Sequence, residues 1–114
     1  MVNGVTTQGE NIADNGGLRQ AFHAYQRLVQ EHGPEPRLPG LQQFSPEQLF
    51  FLGFSTVWCE SSTRESLLHE VLADPHAPHR YRVLGSLVNS PEFAAAWSCP
   101  RGSRMNPGHK CRIW

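Results

Sequence analysis

Gly9-Glu10-Asn11-Ile12-Ala13-Asp14-Asn15-Gly16-Gly17-Leu18 opens the segment on which the reading of this 114-residue chain turns. From there Leu18, Phe22, Tyr25 and Val29 recur at spacings of four, three and four, a single apolar stripe on a helix. Ala21, Ala24 and Leu28 broaden it, and the helix is expected from about Gly9 to Glu31. Gly16-Gly17 interrupts its early part at roughly 1 kcal/mol each against alanine, so close packing or a bend is expected there. His32-Gly33-Pro34 should stop the helix, glycine followed by proline. A linker carrying Pro34, Pro36, Pro39 and Gly40 follows.

Working outward, Ser45-Pro46-Glu47-Gln48 reads as a capping box with proline at the first helical position. The helix behind it, Leu49-Phe50-Phe51-Leu52-Gly53-Phe54 and then Val57-Trp58, is apolar almost all round. Such a helix is buried on most sides or faces a partner, and a short chain has few elements to cover it. Thr63 caps a third helix, about Arg64 to Ala73, with Leu67, Leu68, Val71 and Leu72 as its apolar face. Asp74-Pro75 ends it, and Pro75-His76-Ala77-Pro78 is a stiff loop. Tyr81 to Asn89 suits helix or strand by pattern; its length and the lack of other strands favour helix. Ser90-Pro91-Glu92 caps a last short helix through Trp97. The expected fold class is mainly α, with an irregular tail from Ser98 to Trp114 stapled by its cysteines.

Ten basic residues cancel ten acidic ones, which removes the electrostatic footprint of a nucleic-acid binder. No run approaches the ~18 apolar residues of a membrane span, and the first ten residues show no signal peptide. Cys59, Cys99 and Cys111 are an odd count, so at most one internal disulfide forms and one thiol is left over. Either the leftover pairs outside this chain in an oxidising compartment, or all three are reduced and buried. Met1 leads straight into the turn residues Asn3-Gly4, and the chain reads as one that starts in the middle of a larger protein.

Several side chains could carry chemistry. Glu10 and Asp14 lie four residues apart on one helix face, like charges that call for a cation opposite. A metal or a metal-bound histidine would serve, since glutamate is a zinc ligand and a nearby carboxylate can orient a ligand histidine. The competing reading is an acidic first turn favoured by the helix dipole. His69-Glu70-Val71-Leu72-Ala73 misses the zinc-protease signature HExxH because Ala73 stands where the second histidine is needed, so His69 is read as a solvated residue. His76 in its stiff loop could donate to a developing oxyanion, and Arg82 could grip a carbonyl with paired donors. His23, His32, His79 and His109 show no ligand spacing.

The Gly9–Leu18 stretch resembles the GENIADNGG motif of the neprilysin and endothelin-converting enzyme family of zinc metallopeptidases. The resemblance continues through Gln48–Phe54, Val57-Trp58-Cys59, Asp74–Pro78, Tyr81–Gly85, Asn89–Phe93 and Met105-Asn106-Pro107 to a terminal Cys111-Arg112-Ile113-Trp114. Gln8 stands where many relatives have an apolar residue. The resemblance implies the C-terminal helical portion of a thermolysin-like zinc peptidase domain, residues 1–114 forming that portion without the HExxH part. By resemblance Glu10 is the third zinc ligand and Asp14 the carboxylate that orients a ligand histidine. His76 resembles the transition-state-stabilising histidine and Arg82 the arginine that binds a substrate carbonyl. The three cysteines resemble those that bond to upstream cysteines. The implied cofactor is one Zn²⁺ per full-length enzyme. The implied partners are peptide substrates and the upstream part of the same peptidase, and the implied location is the extracellular face of the plasma membrane or the secreted fraction.

Two readings compete with that of a peptidase part. One is a standalone, non-catalytic module or short isoform that binds the parent enzyme or peptides. The other is a small histidine-based metal module. With one zinc ligand in hand, the isolated chain is expected to hydrolyse nothing.

Overall fold

The stripe that begins at Leu18 lies on α1, Gln8–His32, whose buried side chains are Leu18 and Phe22. The structure, a computed structural model, describes residues 2–112. Met1 lies outside the described residues, as do Ile113 and Trp114 of the terminal Cys-x-x-Trp. Gly33 ends α1 as expected: its φ of 86° suits glycine, and its N–H donates to Val29 O at 2.8 Å.

The four later helices follow their caps. In α2, Pro46–Thr56, Ser45 Oγ accepts from Gln48 N at 3.2 Å and Gln48 Oε1 accepts from Ser45 N at 2.9 Å, the expected reciprocal box. Gln48 Nε2 also donates to Ala96 O at 2.9 Å, so this cap fastens α2 to a neighbouring helix end. Helix α3, Arg64–Ala73, starts where Thr63 accepts from Ser66 N and stops at Asp74, ahead of Pro75. The ambiguous segment is helical, α4 spanning His79–Asn89, and α5 covers Pro91–Ala96 with Ser90 Oγ accepting from Phe93 N at 2.9 Å.

Packing is led by α1 against α4, and α2 and α5 pack on α4 and on each other. Leu18, Phe22, Phe51 and Leu87 form the core, with Tyr25, Phe50, Val83, Phe93 and Met105 packed on it. Phe51 is 1% exposed and stacks on Phe22 at 5.0 Å, with the edges of Phe50 and Phe93 at 5.3 and 5.4 Å. Burying one such ring contributes roughly 1.5–3 kcal/mol, which is why this aromatic knot decides where α1 and α2 meet. The all-apolar helix is therefore covered in part, while its end at Val57 stays exposed.

Three features go beyond what the sequence pattern specified. The apolar face of α3 is not buried: Leu67, Leu68 and Leu72 are exposed and no other helix packs substantially on α3. Periodicity identified an apolar face but carries no information on what covers it. At Gly16-Gly17, α1 runs on as one helix, and a Cβ on Gly17 would meet no atom within 4 Å, so the space around Gly17 is open. The tail is held without any bond among the chain's own cysteines, since Cys59, Cys99 and Cys111 are free thiols. Instead Asn106 Nδ2 donates to Cys99 O at 2.9 Å, Lys110 Nζ to Val88 O at 2.6 Å, and the Cys111 N–H to Asn89 Oδ1 at 3.0 Å.

Candidate functional site

Helix periodicity puts Glu10 and Asp14 on one face of α1, and the α1–α4 packing turns that face toward Arg82 in the first turns of α4. Arg82 donates Nε to Asp14 Oδ2 at 2.7 Å and Nη2 to Asp14 Oδ1 at 2.6 Å. This is a fork-to-fork pair with both side chains largely withdrawn from solvent, 8% exposed for Asp14 and 11% for Arg82. The hydrogen bonds to Asp14 hold the guanidinium pKa above its ordinary value, against the opposing effect of burial. Arg82 also lies over the Trp58 ring, 4.0 Å from its centroid, so its plane is fixed from a second direction. Trp58 also meets the His79 ring edge to face, with centroids 5.2 Å apart.

His76 reaches the same place from the loop between α3 and α4. Asp74 Oδ1 accepts from the His76 N–H at 2.7 Å, closing a tight side-chain turn, and the same oxygen meets His76 Nδ1 at 2.7 Å. These contacts, the backbone hydrogen bond first and the imidazole second, hold the Asp74 carboxyl below its usual value. An ionised carboxylate only accepts, so Nδ1 must carry the proton, and Nε2 is left facing Glu10 Oε2 at 3.4 Å. Glu10 Oε2 also stands 3.8 Å from Arg82 Nη2. Both Glu10 and His76 are close to half exposed.

The four residues singled out in the sequence thus converge: Glu10, Asp14, His76 and Arg82 form one continuous set of contacts. His23, His32 and His109 take no part in the charged contacts around them, and His69 is exposed on α3. Two contributors were missed. Asp74 was read only as a helix stop, although Asp-x-His is the spacing of a side-chain turn that grips the histidine. Trp58 was read only as part of an apolar run; nothing in its local pattern announces a stacked arginine from α4.

Three carboxylates, Glu10, Asp14 and Asp74, face one guanidinium and one imidazole, which leaves the mouth of the site attractive to a cation. Yet among the described residues no group of three His, Cys, Asp or Glu side chains is placed to hold a metal ion. Glu10 alone keeps a loosely engaged carboxylate. It can give a metal one ligand, and a catalytic zinc normally takes three from protein. A small histidine-based metal module does not fit this arrangement.

The sequence model of peptidase family M13 matches residues 1–113. The chain belongs to peptidase family M13. It is 51% identical over 113 residues to neprilysin-11 of Caenorhabditis elegans and 56% identical over 113 residues to endothelin-converting enzyme 1 of Mus musculus. Each alignment takes in 99% of this chain but only 13% and 15% of those relatives, so the chain spans about one seventh of their length. Among solved structures it is similar to the zinc metalloprotease Zmp1 of Mycobacterium tuberculosis in complex with an inhibitor, with TM-score 0.88 and 31% identity over 99% of this chain and 17% of that one. A Haemonchus galactose-containing glycoprotein complex gives TM-score 0.93 at 40% identity, over 99% of this chain and 20% of that one. The mainly helical fold and the resemblance to the neprilysin and endothelin-converting enzyme family read from the sequence both stand.

Proposed function

We propose that this M13 chain furnishes one wall of a zinc endopeptidase active site and that the remaining zinc ligands come from an HExxH helix outside these 114 residues. The observation that carries the reading is the convergence of Glu10, Asp14, His76 and Arg82 from two helices and a loop. Zinc bound at the Glu10 face would polarise a peptide carbonyl and its attacking water. Glu10 supplies the third protein ligand to that ion. Asp14, whose two oxygens still have lone pairs beyond those given to Arg82, accepts from the outer ring nitrogen of a ligand histidine and orients it.

The other two residues act on the substrate. Arg82, held rigid by Asp14 and Trp58, offers its remaining N–H groups to a backbone carbonyl next to the scissile bond. His76, held by Asp74 through Nδ1, presents Nε2 to the oxygen on which charge develops; it donates there as the imidazolium. The substrates are peptides. Cys59, Cys99 and Cys111 pair with cysteines of the remaining polypeptide, and the whole protein works on the extracellular side of the membrane or as a secreted enzyme. No helix among the described residues is long and apolar enough to cross a membrane.

The test is a chimera in which this chain replaces the matching segment of mouse endothelin-converting enzyme 1. The chimera should bind one zinc and cleave peptides. Glu10→Gln should abolish both, whereas Arg82→Ala should raise KM and spare the metal. Unchanged zinc content and normal kinetics in both variants would overturn these roles. The 114-residue chain by itself should hydrolyse no peptide with zinc added. In its source, the protein bearing this sequence should run several-fold heavier than 12.8 kDa; a species near that mass would favour a non-catalytic module.

A further inference from the structure

The half of α1 that carries Glu10 and Asp14 has almost no core to hold it. None of the residues from Gln8 to Gly17 is buried, and the helix's apolar anchors, Leu18 and Phe22, come later. Its rotation about its own axis, which decides where Glu10 and Asp14 point, is fixed at this end by polar contacts, beyond what Leu18 and Phe22 impose further along. One is the Asp14–Arg82 pair. The other is a row one residue further round, where Thr7, Asn11 and Asn15 follow one another at four-residue spacing.

That row is hydrogen-bonded end to end. Thr7 Oγ1 donates to Asn3 O at 3.3 Å and accepts from Asn11 Nδ2 at 3.0 Å. Asn15 Nδ2 donates to Asn11 O at 2.7 Å, and Asn15 Oδ1 accepts from Asn89 Nδ2 at 3.0 Å. Asn89 Oδ1 in turn accepts the Cys111 N–H at 3.0 Å. The polarity is fixed from both ends, because the Asn11 carbonyl can only accept and the Cys111 N–H can only donate. Thr7 is 3% exposed, and its hydroxyl serves this row, leaving the helix N-cap without a side-chain bond.

Asn89 closes α4, two turns beyond Arg82, so the two helices are pegged at Arg82 and at Asn89, with Gly85 and Ser86 between the pegs. We infer that Asn89 is a positioning residue: it ties the C-terminal tail to α1 and sets the rotation of α1 that presents Glu10 and Asp14 to Arg82. For catalysis this rests on the peptidase reading above; for geometry it stands alone.

The experiment follows exchange of the Arg82 Nε–H by NMR in the 114-residue chain. Asn89→Ala and Asn89→Asp should each cut its protection about ten-fold, the loss of one net hydrogen bond. Asn106→Ala removes a tail bond in which α1 takes no part, so it should loosen the tail and leave Arg82 unmoved. Should Asn89→Ala fail to fold, Asn89→Asp decides, because it keeps the acceptor for the Cys111 N–H. Arg82 protection that survives both Asn89 variants, or falls equally in Asn106→Ala, overturns the inference. In the chimera, Asn89→Ala should raise KM about ten-fold and also weaken zinc retention, because Glu10 turns with α1. An unmodified chimera without zinc or activity would sink the peptidase reading and leave the NMR comparison to judge Asn89.

Discussion

Asp14 and Glu10 sit one turn apart on the same helix and meet the same arginine, yet they are held in opposite ways. Asp14 is withdrawn from solvent and gripped by two charge-assisted hydrogen bonds of 2.6 and 2.7 Å. Glu10 is 42% exposed, and its nearest partners, the His76 imidazole and the Arg82 guanidinium, stand at 3.4 and 3.8 Å, beyond a good hydrogen bond. The difference separates what this chain completes by itself from what it leaves open. Arg82 needs a fixed plane to recognise a carbonyl, and the chain supplies every restraint on it. A metal ligand needs free lone pairs, and Glu10 keeps them.

The largest effect expected from breaking this contrast is on folding. Arg82→Ala should destabilise the 114-residue chain by roughly 2 kcal/mol in urea denaturation, since it strands a shielded carboxylate. Glu10→Gln should stay within about 0.5 kcal/mol of the parent chain. Equal losses in the two variants would erase the distinction. Arg82→Lys sharpens it: a point charge cannot make the double bond to Asp14 and also stack on Trp58, and a loss of about 1 kcal/mol is expected in the same titration. A lysine variant as stable as the parent would show that charge alone matters there.

The smallest effect concerns the exposed half of the site. Asp74 has its folded pKa lowered, so what its contact with His76 contributes is fully present above the unfolded carboxylate's usual value of about 3.9. It is lost only as pH falls through the lower folded value. Exchange protection of the His76 amide should therefore hold at pH about 4 and weaken only below it, as the charge-assisted bond becomes a neutral one. Asp74→Asn keeps an acceptor for that amide and should carry the protection to still lower pH. Protection that is independent of pH in the parent chain would remove Asp74 as its source.

Local chemistry made most of the fold readable. Each helix announced itself by a cap or a stop, Ser45-Pro46 with Gln48, Thr63, Ser90-Pro91 and Gly33-Pro34, because these side chains act within four residues of the backbone groups they satisfy. Glu10, Asp14, His76 and Arg82 could be picked out by residue type and by the family motifs around them. Their mutual geometry could not, since the Asp14–Arg82 and Asn15–Asn89 contacts span 68 and 74 residues of sequence. For the same reason Trp58 looked like core and Asn89 like the end of a helix. What covers the apolar face of α3 was not legible either: Leu67, Leu68 and Leu72 have the spacing of a buried face, and only tertiary structure reports that they are exposed in this chain.

That unsupported helix also has a bearing on the lifetime of the chain. Helix α3 is kept by little more than its own backbone bonds and Thr63, so it belongs to the part of the chain that opens first. Proteases cut such transiently open segments at a rate set by how often they open. A single cleavage there would leave Arg82, Asp14 and Asn89 joined as before, while His76 and Asp74 would sit at a new chain end, free to drift. Turnover would thus begin by silencing the histidine, long before the helices that hold the arginine come apart.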